Sequence, residues 1–166
     1  MLSTPTPWAR GQIPTKRDNP SLDFKVQGPL QTNKAKEAIK LFDVFHTLDR
    51  EKLAKELVKH NDLTTKRLFI QVNTGKEKNK SGIYPEHLDE FVNYCVNDLS
   101  INIVGLMCIP PLEDKPKDHF SILEQHAKRH NLYQLSMGMS SDFKEAILFG
   151  ATHIRIGEAI MGDRVG

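Results

Sequence analysis

From residue 24 onward, short apolar segments patterned as strands alternate with segments that carry a helical apolar period. No other feature constrains the fold as much. Strands that each run into a helix before the next strand have to lie parallel, with the helices packed outside the sheet. The predicted strands are FKVQG (24–28), DVFHTLD (43–49), RLFIQVNT (67–74), INIVGLMCIP (101–110), YQLSMG (133–138) and THIRIG (152–157). Between them the pattern predicts helices over 32–42, 50–60, 85–98, 119–130 and 142–150, and a short apolar turn, EAIMG, follows the last strand. In the second helix Leu53, Leu57 and Val58 make one apolar face, and in the third Leu88, Phe91, Val92 and Cys95 do so. Pro85 suits a first helical turn, and Asp142 with Glu145 forms a D-x-x-E capping box.

Two architectures satisfy strict β-α alternation, a doubly wound sheet and a (β/α)₈ barrel of the TIM type. No GxGxxG follows the first strand, so the dinucleotide-binding version of the former has no support. A complete barrel takes about 250 residues, and at least about 200. The 166 residues supply about six β/α units. The expectation is an incomplete barrel made of strands 3–8, occupying residues 23–166. Residues 1–22 read as an unrelated or disordered leader. They hold four prolines, and acid first enters at Asp18. Pro5, Pro7 and Pro14 oppose the amphipathic helix of an organelle presequence.

Composition excludes several function classes. A net charge of +2, from 23 basic and 21 acidic residues, favours neither nucleic acid nor an anionic membrane. No run approaches the roughly 18 apolar residues of a membrane span. Cys95 and Cys108 lack CxxC spacing, which points to reduced thiols in the cytoplasm and to no metal site.

In barrels, chemistry gathers at the C-terminal ends of strands, and phosphate groups often bind after strands 7 and 8. Those ends are here Ser136-Met137-Gly138-Met139-Ser140 and Arg155-Ile156-Gly157-Glu158. Ser136 offers a hydroxyl, the glycines allow close approach, and the following helix starts offer N–H groups to an anion. Arg155 adds a positive charge suited to a ring or carboxylate. On local pattern alone, helix capping by Ser140 and Asp142 and a surface role for Arg155 explain the same residues equally well. His46, Asp49, Gln71, Asn73 and Met107 stand at other strand ends. A histidine there is more often hydrogen-bonded structure than catalyst. Lys34 and the KEKNK run (76–80) read as solvated. No HExxH, Ser-His-Asp order or paired carboxylates stand out.

Taken in order, GPLQTNKAK (28–36), FHTLDR (45–50), QVNTGKEKNKSG (71–82), GLMCIPP (105–111), LSMGMSSDF (135–143) and GATHIRIGEAIMG (150–162) resemble the successive signatures of the pyridoxal phosphate homeostasis proteins. The likeness covers about residues 24–164. It implies a barrel of the alanine-racemase N-terminal type, pyridoxal 5′-phosphate as cofactor, and intracellular buffering of that cofactor and of amino-acid pools without catalysis. By the family pattern, Ser136 and the backbone of Gly157 and Glu158 hold the phosphate. Arg155 faces the pyridine nitrogen, and Met137 lines the pocket wall. Complete family members are monomers.

The sequence also departs from that pattern. The family tethers the cofactor as a Schiff base to a lysine in a Val-Ser-Lys-type motif, with a Gly-Glu-Asn segment after the second strand. Neither motif occurs here, and Lys16 follows Pro14 with no apolar strand before it. Lys25 replaces a usual histidine, Gln27 an apolar residue, and Glu158 a small Thr or Ser. The expectation is a truncated, impaired binding protein, with Lys16 or Lys34 as candidate substitute tethers and open barrel edges that invite self-association. A pyridoxal-phosphate racemase or lyase, and a non-functional gene fragment, are the competing readings.

Overall fold

The computed structural model describes residues 23–156. The expected leader, Lys16, Gly157, Glu158 and the EAIMG turn lie outside the described residues. All six strands are present: β1 (Lys25–Val26), β2 (Val44–Leu48), β3 (Arg67–Val72), β4 (Ile103–Cys108), β5 (Gln134–Met139) and β6 (His153–Arg155). The helices are α1 (Ala35–Leu41), α2 (Glu51–Leu57), α3 (Leu88–Asn93), α4 (Pro116–Arg129) and α5 (Phe143–Leu148).

Every neighbouring pair of strands is parallel, and the order across the sheet is β1-β2-β3-β4-β5-β6. A doubly wound sheet reverses its strand order at a switch point. An order that never reverses is that of a barrel wall, here six strands of one.

Successive strand residues face opposite sides, and the two sides differ. Leu68, Ile70 and Val72 of β3 join Leu106, Cys108, Leu135 and Met137 in the large core beneath the helices. Ile39, Leu53, Leu57, Leu88, Phe91, Phe120, Leu123 and Ala146 supply the helical half of that core. The alternate residues Val44, Phe69 and Met107 form a separate small cluster on the concave side. Above it, that side turns polar.

Helix ends differ from expectation in instructive ways. α4 opens at Pro116, in advance of the expected residue 119, because proline's fixed φ suits the first helical position. The 85–98 segment opens as a 3₁₀ turn on Pro85, and its last five residues, Tyr94–Asp98, wind as a π turn. The Leu99 N–H accordingly reaches the Tyr94 carbonyl at 3.1 Å. The capping box at Asp142 is not formed. No side chain caps α5, and Asp142 Oδ1 instead accepts the N–H of Met139 at 2.6 Å.

Candidate functional site

The C-terminal ends of β4, β5 and β6 meet at one side chain. Arg155, the last residue of β6, reaches back across the mouth of the sheet. Its Nη1 donates to Ser136 Oγ and its Nη2 to the Cys108 carbonyl, both at 2.8 Å. Those partners lie 19 and 47 residues away in sequence. Parallel pairing of β6 with β5 and of β5 with β4 brings them under the guanidinium. Burial pulls the Arg155 pKa below the usual arginine range, but arginine still holds its charge at any physiological pH. The guanidinium has five N–H groups, and these two bonds leave the others for a ligand.

Ser136 is 0 % exposed. Below it stands His46 of β2, also 0 % exposed, with Nδ1 at 2.8 Å from Ser136 Oγ. The His46 ring stacks on Phe69 with centroids 4.4 Å apart, and His153 meets both rings edge-on. Nε2 of His46 is buried and has no partner among the described residues. Burial, followed by the positive fields of His153, Lys25, Arg155 and Arg67, lowers the His46 pKa to about 3, so the ring is neutral.

Of the five site residues expected from the sequence, the structure brings two into direct contact, Ser136 and Arg155. Met137 is placed differently. Alternation along β5 turns its side chain away from Ser136 into the core beneath the helices, where it is fully buried. It can offer the concave side only backbone. Gly157 and Glu158 lie outside the described residues.

Gly138 also has a reason other than close approach of a ligand. Its φ is +95°, and a Cβ there would stand 2.7 Å from Ala146 Cβ and 3.0 Å from Phe143 Cα. The glycine lets α5 pack against β5. Asp142 Oδ1 occupies the Met139 N–H, so that one N–H of the turn before α5 is not open to an anion.

The remaining polar strand ends hold loops. Asn73 Nδ2 donates to the carbonyls of Glu77 and Lys80, its Oδ1 accepts the Glu77 N–H, and Gln71 binds the Ser81 carbonyl. These bonds order the lysine-rich 76–80 loop, whose Lys76, Lys78 and Lys80 stay exposed. Asp49 pairs with Arg50, which also donates to the Leu30 carbonyl at 2.8 Å. Met107 fills the concave apolar cluster. Lys34 is exposed and pairs with Glu37 at 3.4 Å. A cleft of about 760 Å³ between the start of α2 and α3, lined by Asp49, Glu90, Phe91, Tyr94 and Asp98, includes neither Ser136 nor Arg155.

Sequence reading missed one contributor and the bond that ties in another. The Cys108 carbonyl is backbone and carries no residue-type signal. His46 was visible as a polar strand end, but its link to Ser136 spans 90 residues.

Residues 18–165 match the family model described as alanine racemase, N-terminal domain. A pyridoxal phosphate homeostasis protein of Aquifex aeolicus is 38 % identical over 154 residues, covering 86 % of this chain and 68 % of that protein. The structure of PipY from Synechococcus elongatus with pyridoxal phosphate bound superposes with a TM-score of 0.73 at 30 % identity. It covers 89 % of this chain and 74 % of PipY. The alanine racemase of Corynebacterium glutamicum shares the fold at 18 % identity and a TM-score of 0.66, over 91 % of this chain and 44 % of the racemase. Among the described residues no helix is long and apolar enough to cross a membrane.

Proposed function

The chain belongs to the alanine racemase N-terminal family and, within it, to the pyridoxal phosphate homeostasis proteins, and on that footing we propose that it binds pyridoxal 5′-phosphate at the C-terminal mouth of its sheet and buffers or delivers it in the cytoplasm. The observation that carries this reading is the guanidinium of Arg155, fixed by Ser136 and the Cys108 carbonyl. The residues present fit the ring end of the cofactor. Arg155 offers an anchored, charged donor on a polar concave side, with apolar Met107 and Phe69 in the layer below.

When bound, the cofactor supplies an aldehyde and a pyridine ring able to act as an electron sink. A cation at the ring nitrogen disfavours protonation there. Arg155 would therefore weaken the electron sink that reactions on the cofactor use. In this reading the phosphate lies at the turns after β5 and β6, with Gly157 and Glu158 contributing backbone N–H groups. The buried Cys95 and Cys108 are free thiols, which accords with a reducing compartment.

The test is an absorbance titration of the 166-residue chain and its Arg155→Ala variant with pyridoxal phosphate, followed by borohydride reduction and peptide mapping. Saturable binding that weakens about tenfold or more in the variant is expected, the loss of hydrogen bonds from a charged donor. A wild-type chain that shows no saturable binding would reject the reading. Mapping names any lysine that joins the cofactor, Lys34 included.

A further inference from the structure

Ser136 lies where the phosphate was expected to find a hydroxyl, yet its surroundings give it another task. A serine hydroxyl has one hydrogen and two acceptor sites. One acceptor site takes Nη1 of Arg155, and the other side of the oxygen meets Nδ1 of His46. Whichever of Ser136 and His46 donates in that second bond, Ser136 Oγ still accepts from Arg155. The oxygen is enclosed between the two, with no exposed surface.

We infer that Ser136, backed by His46, is a positioning residue that fixes the Arg155 guanidinium, and that it is not a ligand of the cofactor phosphate. The inference deepens the proposed function and rests on its placing of Arg155 at the cofactor ring. An arginine at the end of a three-residue strand has substantial side-chain conformational freedom to lose. One hydrogen bond leaves a guanidinium free to swivel. Two acceptors from two different strands fix its plane.

Both acceptors are neutral, so neither cancels the positive charge presented to a ligand. A carboxylate in the place of Ser136 would hold the guanidinium more tightly and neutralise it. His46 completes the support. Stacked on Phe69 and met edge-on by His153, its ring cannot turn away from Ser136, so the oxygen keeps one orientation.

The experiment compares Ser136→Ala, Arg155→Ala and the double variant of the full chain, using two probes, pyridoxal phosphate and phosphate-free pyridoxal. NMR of the Arg155 guanidinium protons is recorded without ligand. The protons are expected to be protected from exchange in the wild type and to lose protection in Ser136→Ala. Ser136→Ala should weaken both probes by the same factor, about tenfold, and should add nothing in the Arg155→Ala background. His46→Phe keeps the stack on Phe69 and should reproduce part of the loss, and His46→Asn, with an amide near the Nδ1 position, should recover it. If Ser136→Ala does not fold, Ser136→Cys replaces it, because a thiol is a poor acceptor of similar shape.

Weaker binding of pyridoxal phosphate with pyridoxal unaffected would return Ser136 to the phosphate and overturn the inference. Guanidinium protons unchanged by Ser136→Ala would also overturn it. A chain whose guanidinium depends on Ser136 but which takes neither probe would sustain the positioning role and reject the cofactor reading.

Discussion

His46 is the residue whose environment departs most from its ordinary chemistry. Its folded pKa of about 3 lies below the ordinary histidine value of 6.5, with burial as the main cause and the positive charges of His153, Lys25, Arg155 and Arg67 adding to it. Between those values the unfolded chain binds a proton that the folded chain refuses. The stabilisation is therefore complete above pH 6.5 and is lost as pH falls from 6.5 toward 3. The slope is about 1.4 kcal/mol per pH unit for one group. Unfolding free energy measured in denaturant between pH 7 and 4 should decline along this slope in the wild type. His46→Phe, which has nothing to protonate there, should show a shallower decline. Parallel profiles would mean that some other group drives acid unfolding.

At the scale of elements, β4 and β5 are held so closely that one of their residues can only be glycine. A Cβ on Gly105 would lie 2.0 Å from the Gln134 carbonyl oxygen and 2.8 Å from the Phe69 ring. The backbone oxygen cannot move without breaking the β4–β5 pairing that sets the two acceptors of Arg155, the Cys108 carbonyl and Ser136, side by side. Gly105→Ala is expected to cost about 3 kcal/mol in unfolding free energy, with Arg155 losing its partners, as chemical denaturation and NMR would register. The existence and order of the strands were legible in the sequence because period-2 apolar runs alternated with helical ones. Their ends were not. β1 keeps only two of five expected residues, and β6 three of the five expected residues that are described, since pairing with a neighbour, invisible in the sequence, decides where a strand stops. The same holds for Asp142, where the box pattern was present and the carboxylate bound the preceding turn instead.

For the whole molecule, the central claim is one of place. A six-stranded parallel wall in unbroken order collects its chemistry at one end, where β4, β5 and β6 converge on Arg155. Arg155 and Ser136 were legible as candidate site residues because barrel geometry concentrates function at strand ends, and the structure brings them into contact. Their mutual bond was not legible, nor was the turn of Met137 toward the helices, because side-chain direction follows from strand register. The cleft beside α3, though roomy, stands apart from that convergence. The decisive measurement is an amide NMR titration of the 166-residue chain with pyridoxal phosphate. The account predicts saturable shifts concentrated at Cys108–Ile109, residues 138–141 and Arg155–Ile156. Shifts centred on Asp49, Glu90 and Tyr94 instead, or no saturable shifts at all, would contradict it.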